Sequence, residues 1–168
     1  MIFVCIDPHT KCYGIVVGRD MDRVVGAFTV PFSAKKLHVF LKSMDAVEAV
    51  VRRCRRVGED VVITVEGQFV GVNKKGALSL ADAAGIVKGY WITRGYSVSP
   101  PLPPQAWIND MMRVKGARCP RRKVYEPVMY TLARDVLGRE AENKHIAAAA
   151  CMLNHVRGQY AAEIRETA

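Results

Sequence analysis

The chain has 168 residues and a formal net charge of +9, a size that suits one domain with one hydrophobic core. Half of the residues are hydrophobic and 24% are charged, which excludes a disordered or low-complexity chain because those chains lack a core-forming apolar fraction. The positive charge favours a polyanionic partner, either a nucleic acid or an anionic membrane surface. We predict a single folded domain over residues 1–168.

The cysteines and the hydropathy pattern indicate the cellular compartment in which the protein is expected. The five cysteines are an odd number and form no C-x-x-C pair, so a reducing environment is expected. The apolar run from Met1 to Ile6 is too short for a signal segment and lacks a basic leader. No stretch has the length of a membrane span, and no basic amphipathic helix lies at either end. We therefore expect a soluble cytoplasmic protein with no membrane contact.

The first part of the chain alternates strands and helices. Three short apolar runs rich in β-branched residues predict a meander of strands over residues 2–7, 13–17 and 24–30. The apolar spacing that follows predicts a helix with Ser33 as its N-cap, closed at Gly58. A fourth buried strand is predicted over residues 61–65, followed by a glycine-containing loop over residues 67–76.

The second part of the chain is mostly helical. Residues 77–93 predict a helix that is small or apolar on nearly every side. Residues 96–98 predict a fifth strand, and the proline-rich run after them ends it before a short segment over residues 105–112. Two helices are predicted over residues 123–137 and 140–157. This order implies an α/β fold with a mixed five-stranded sheet covered by helices on both faces.

Four side chains from distant parts of the chain suggest a metal site. Asp7 and Glu66 end the first and fourth predicted strands, at the sheet edge where α/β proteins collect functional groups. Glu142 and His145 are three residues apart and would share one face of the last helix. Carboxylate oxygens are the ligands that Mg²⁺ prefers, and two such ions support phosphodiester hydrolysis.

Each of these residues also has a simpler interpretation. Asp7 before a proline could start a turn, Glu66 could pair with Lys74 or Lys75, and Glu142 could be a favourable charge at a helix start. A lone histidine such as His145 is more often a partly buried structural residue than a ligand. The combination of two strand-end acids with E-x-x-H on a terminal helix favours the metal site.

The sequence resembles the RuvC family of Holliday junction resolvases, in the RNase H-like superfamily, over nearly its whole length. The resemblance lies in FVCIDPHTKCYGIVV, VITVEGQF, ALSLADAAGIVKGYW and ENKHIAAAACML. It implies an RNase H-like fold and a nuclease of a bacterial or phage-infected cell that works at the nucleoid in recombination and repair. It also implies two Mg²⁺ ions, replaceable by Mn²⁺, on Asp7, Glu66, Glu142 and His145.

The chain departs from the family pattern at three positions. His9 stands where the family has glycine, Glu142 replaces a shorter aspartate, and His145 replaces a second acid. The histidine lowers the negative charge of the site and is either a metal ligand or a general acid or base. Glu140 is the reserve candidate if the register of the last helix differs.

A basic segment before the fourth helix is suited to DNA phosphates. The predicted phosphate-binding residues are Lys74, Lys75, Arg113, Lys115, Arg118, Arg121, Arg122 and Lys123. The resemblance places Lys123 near the scissile strand and Ile108 where relatives carry another lysine. It also suggests that Phe69 stacks on an unpaired base, although a loop anchor packed on the core fits the sequence equally well.

The resemblance predicts paired symmetric nicks in a four-way DNA junction by a homodimer. A C₂ dimer supplies two active sites in matching orientation, and the apolar helix over residues 77–93 is the expected interface. The alternatives are a broader nuclease of flaps, forks or RNA–DNA hybrids, a non-catalytic junction-binding protein, and an actin-like ATPase, which His9 in place of glycine argues against. The sequence identifies no helicase partner and no preferred cleavage sequence.

Overall fold

The computed structural model describes residues 1–67, 74–114 and 122–167, without the side chains of residues 34, 74–77, 114, 122 and 123. The elements, in chain order, are β1 (Ile2–Pro8), β2 (Cys12–Arg19), β3 (Arg23–Pro31), α1 (Leu37–Cys54), β4 (Val61–Val65), α2 (Lys74–Ile92), α3 (Pro104–Val114), α4 (Arg122–Leu137) and α5 (Lys144–Thr167).

The described strands form one mixed sheet with the order β3-β2-β1-β4. β1 and β2 are antiparallel, as are β2 and β3, which confirms the predicted meander. β4 is parallel to β1, and the pairing between them starts with Ile2 opposite Val61. The crossover through α1 therefore places the carboxyl ends of β1 and β4 side by side, as the sequence predicted.

The described residues contain no full fifth strand, so the predicted count of five is not confirmed. Two isolated parallel bridges join β4 and its following residue to the predicted region, Ile63 with Val98 and Glu66 with Leu102. Pro100 and Pro101 lie between these bridges. Because proline has no backbone N–H to donate, the segment follows the edge of β4 without forming a continuous ladder.

Helices cover both faces of the sheet, as predicted. One core packs the even-numbered residues of β1, including Ile2 and Val4, against α1 and α2, with Phe40 and Trp91 fully buried. The other core packs Phe3 and neighbouring side chains against α3, α4 and α5. Because side chains alternate along a strand, the odd-numbered residues of β1 all face α5.

Several helix boundaries differ from the predicted ones. A single 3₁₀ turn follows Ser33, whose side chain caps no backbone group, and α1 ends at Cys54 rather than at Gly58. Gly58 instead takes a positive φ in the following turn. α2 begins at Lys74, so Lys74 and Lys75 lie in its first turn rather than in the preceding loop. None of the described helices is long and apolar enough to cross a membrane.

Candidate active site

The alternation of side chains along β1 and β4 brings two acids together. In β1, Asp7 continues the series of odd-numbered residues that face α5. Glu66 directly follows β4, and its backbone N–H donates to the carbonyl of Ile6 at 2.9 Å. Because paired strands present neighbouring residues on the same face, the two carboxyls lie beside each other under the start of α5. Asp7 is 7% exposed, which argues against its being a surface turn residue.

The two carboxyls are hydrogen-bonded to each other. Trp107 of α3 adds a second partner, since its indole N–H donates to Oε1 of Glu66 at 2.8 Å. Trp107 was not predicted as a site residue. A tryptophan in a short amphipathic helix is a common core residue, and its indole group becomes part of the site only through the tertiary fold.

Burial raises the pKa of both acids, because it penalises their charged forms. For Glu66 the negative charge of Asp7 is the next largest cause, since two neighbouring carboxylates repel each other. The hydrogen bond from Trp107 opposes this shift. For Asp7, the positive charge of Lys144 likewise opposes the effect of burial. In the absence of a cation, the pair therefore holds protons more tightly than exposed acids do.

His145 joins this pair from the first turn of α5. Asn143 caps that helix: its side-chain Oδ1 accepts hydrogen bonds from the backbone N–H groups of His145 and Ile146, both at 3.0 Å. The cap directs the histidine side chain to the sheet, where its Nδ1 lies 2.6 Å from Oδ2 of Asp7. The ring of His9 packs against that of His145 in a tilted arrangement, with centroids 4.5 Å apart and an interplanar angle of 35°.

Glu142 precedes the last helix, whereas His145 lies in its first turn. The Asn143 cap starts the helix at Lys144, so Glu142 and the reserve candidate Glu140 both precede α5. This corrects the prediction that Glu142 and His145 share a helical face. The side chain of Glu142 is 54% exposed and pairs with Arg139 at 3.3 Å. Its role as a metal ligand stays a prediction.

The acid pair lines a cleft of about 200 Å³ between the sheet end and the helices α3, α4 and α5. Two charged residues that were not predicted also line it, Glu126 from α4 and Lys144 from α5. Neither belongs to a recognisable spacing pattern. The remaining lining residues are Pro104, Trp107, Ile108, Tyr125, Met129 and Ala148.

Most of the predicted DNA-binding side chains fall outside the described part of the chain. Phe69, Lys115, Arg118 and Arg121 lie in the ranges that are not described, and the side chains of Lys74, Lys75, Arg122 and Lys123 are not described either. Arg113 is the exception. It lies in the last turn of α3, 81% exposed, with its guanidinium 3.0 Å from Asp110.

The donor atoms at this site suit a hard divalent cation. Asp7 and Glu66 supply carboxylate oxygens, and a bound cation would take the place of the protons that burial and mutual repulsion now retain. His145 adds an imidazole next to Asp7. Within residues 1–67, 74–114 and 122–167, no group of three or more acidic, histidine or cysteine side chains has the arrangement of a complete metal site.

Comparison with known proteins identifies the fold. No protein-family model and no curated protein matches the sequence. Two solved structures of RuvC from Thermus thermophilus are similar to it. RuvC in complex with a Holliday junction substrate is 20% identical, with a TM-score of 0.65 over 96% of each chain. A second RuvC structure is 18% identical, with a TM-score of 0.67 over 96% of this chain and 97% of that one.

The resemblance to RuvC is thus confirmed at the level of the fold. The mixed sheet and the five helices match that fold along almost the whole chain, although the predicted fifth strand is not a regular strand here.

Proposed function

We propose that this chain is a metal-dependent endonuclease that cuts four-way DNA junctions. The observation that carries the proposal is the buried pair of Asp7 and Glu66, hydrogen-bonded to each other, with His145 2.6 Å from Asp7 at the wall of a cleft. The net charge of +9 favours a DNA partner. A protein of the same fold has been solved with a Holliday junction substrate.

The residues of the site have distinct roles in this proposal. Asp7 and Glu66 would hold Mg²⁺, or Mn²⁺ in its place, and His145 would be either a further ligand or a proton carrier. Bound divalent cations supply an activated water and stabilise the leaving oxygen in phosphodiester hydrolysis. Trp107 orients Glu66 by its hydrogen bond, and the adjacent ring of His9 holds the imidazole of His145 toward Asp7. Both contacts preorganise the site before substrate arrives.

The test is cleavage of a labelled synthetic four-way junction in Mg²⁺ or Mn²⁺, with the nick positions mapped on all four strands. We expect paired symmetric nicks from the wild type and none from Glu66→Gln, which removes one charge with little change in size. Glu166→Gln is the matched control, because that acid is exposed and lies near the far end of α5, outside the cleft. Equal cleavage by wild type and Glu66→Gln would contradict the proposal.

The same assay separates the alternative functions. Flaps, replication forks and RNA–DNA hybrids are added as competitors of the labelled junction. A broad branched-DNA nuclease would cut flaps and forks as fast as four-way junctions. A non-catalytic junction-binding protein would shift the junction in a gel and leave every strand intact in both metals.

The proposal includes a homodimer formed through the helix predicted over residues 77–93, most of α2. The side chains of Leu78 and Ile92 are exposed, 67% and 59% respectively. Gly85 and Gly89 lie between them, and a Cβ atom added at either would meet open space. An exposed apolar strip with glycines at its centre allows two helices to approach closely.

Ile92→Arg is therefore expected to convert a dimer into a monomer, because it places a charge in the apolar contact. The mass is measured by light scattering at micromolar concentration, and the junction assay should show unpaired nicks at a lower rate. Val57→Arg is the control, since Val57 is an exposed apolar residue in a turn outside α2. A wild type that is a monomer would contradict this part of the proposal.

A further inference from the structure

The cleft beside the acid pair is lined by a positively charged side chain, to which neither the sequence pattern nor the proposed metal chemistry gives a role. Lys144 is the first residue of α5 and lines the cleft with Asp7 and Glu66. Lys144 as a whole residue is half-buried. Among the lining residues that the structure describes, Lys144 is the one that carries a positive charge.

The ammonium group of Lys144 lies near charged and titratable groups of the site. Burial is the main influence on both neighbouring groups, since it raises the pKa of Asp7 and lowers the pKa of His9. The charge of Lys144 acts to lower both pKa values, so Lys144 lies within electrostatic reach of both groups. Within the described part of the chain, however, no hydrogen bond or ion pair to Lys144 is formed. An ammonium group that has no partner among the described residues keeps its donors for an anion that enters the cleft.

The chemistry of the cleft limits the kind of anion that Lys144 could bind. The acid pair repels an anion when both carboxyls are charged, and this repulsion is reduced when the pair holds a proton or a cation. The ligand must therefore be an anion that another interaction brings to the site. A phosphodiester meets both conditions, because the proposed reaction brings one to the acid pair. Lysine binds phosphate as a point charge without a fixed geometry. A lysine that lines the cleft can therefore contact a phosphate in more than one orientation.

We propose that Lys144 binds a phosphate of the cleaved DNA strand next to the acid pair. This inference rests on the proposed function and goes beyond it, since it assigns a substrate-binding role to a residue that was not among the predicted site residues. In this role Lys144 positions the strand, and its charge offsets the repulsion between the phosphate and the two carboxyls.

The experiment compares wild type, Lys144→Gln and Lys144→Arg in binding and in cleavage. Binding to the labelled junction is measured in EDTA, where no cleavage occurs, over a series of salt concentrations. We expect Lys144→Gln to weaken binding roughly tenfold and to reduce the slope of log K against log salt by about 1. Lys144→Arg should restore most of the binding and the slope, because it keeps the charge.

Lys42→Gln is the matched control. Lys42 is exposed on α1, on the opposite face of the sheet, and this variant loses the same charge. Lys42→Gln should have the same slope of log K against log salt as the wild type. Thermal unfolding of every variant shows whether a loss of binding reflects a loss of folding.

The outcomes separate this inference from the proposed function. If the wild type neither binds nor cuts junctions, the proposed function fails. If the wild type cuts junctions and Lys144→Gln has the same affinity, salt slope and KM, the inference fails alone. A variant that alters only the Mg²⁺ concentration needed for half-maximal cleavage would also overturn the inference, because Lys144 would then act on the carboxyls and not on the DNA.

Discussion

Asp7→Asn is expected to abolish junction cleavage and, at the same time, to stabilise the metal-free protein at neutral and alkaline pH. Activity falls because asparagine cannot supply the negative charge that holds a divalent cation between β1 and β4. Loss of a group that stabilises charge in a reaction costs roughly 10²–10³-fold or more in rate. Stability rises because the substitution removes a charge that burial disfavours.

The sign of the pH effect follows from the direction of the pKa shifts. Asp7 and Glu66 both have a raised pKa in the folded protein. Their contribution to stability is therefore fully present below about pH 4, the ordinary pKa of an acid. It is lost as the pH rises through the raised values, since the folded protein must then release protons that the unfolded chain has already lost. The slope is about 1.4 kcal/mol per pH unit for each proton of difference.

The measurement is thermal unfolding in EDTA and in Mg²⁺ over about pH 5 to 9. We expect the metal-free wild type to lose stability across this range more steeply than Asp7→Asn, in which Glu66 no longer faces a second charge. Mg²⁺ should raise the Tm of the wild type most at high pH, because it binds the deprotonated pair. In Asp7→Asn this increase should be small.

Asp135→Asn is the control, since Asp135 is an exposed acid on α4. It should leave the cleavage rate and the pH profile unchanged. If Asp7→Asn retained full cleavage, or if its metal-free pH profile equalled that of the wild type, the acid pair would not be the functional centre.

The acid pair was predictable from the sequence because it depends on local rules. Strand periodicity places Asp7 on a defined face of β1, and the crossover through α1 makes β4 its parallel neighbour. Together these rules require two strand-end acids to meet. The motif resemblance identifies the same residues independently. The agreement of pattern and topology explains why the sequence could place these two acids side by side, while their role as metal ligands stays a prediction.

Other features depend on contacts that no spacing rule describes. Asn143 decides that α5 begins at Lys144 and so leaves Glu142 outside the helix. Its signal was present in the sequence, since asparagine before an apolar run is a common N-cap, but E-x-x-H suggested an earlier start. The contact between Trp107 and Glu66 joins residues 41 positions apart. The presence of Lys144 in the cleft likewise becomes visible only when the helices are assembled.

A small residue on β2 allows this assembly. Gly14 pairs with Asp7 across the antiparallel register and faces α5 on the same side of the sheet. A Cβ atom added at Gly14 would fall on the backbone carbonyl of His145 and lie 2.6 Å from the backbone nitrogen of Ile146. Glycine at this position therefore permits the start of α5 to approach the sheet closely enough for His145 to reach Asp7.

Gly14→Ala is expected to destabilise the protein and to disrupt the site together. The added methyl group meets backbone atoms of α5, which cannot rotate away as a side chain can, so the helix start must shift. Overpacking of this kind costs roughly 1–3 kcal/mol or more, which exceeds the gain of about 0.5–1 kcal/mol from replacing glycine in a regular element. We expect a lower free energy of unfolding in urea and a loss of cleavage larger than the unfolded fraction explains.

Gly18→Ala on the same face of β2 is the matched control. There the added Cβ would lie 2.7 Å from a guanidinium nitrogen of Arg157 and 2.8 Å from a methyl carbon of Leu153. Both atoms are ends of side chains, which yield at lower cost than the backbone of a helix. Gly18→Ala should therefore cost less stability and leave cleavage by the folded fraction intact. If Gly14→Ala were as active as Gly18→Ala at equal stability, the close approach of α5 would not position His145 for catalysis.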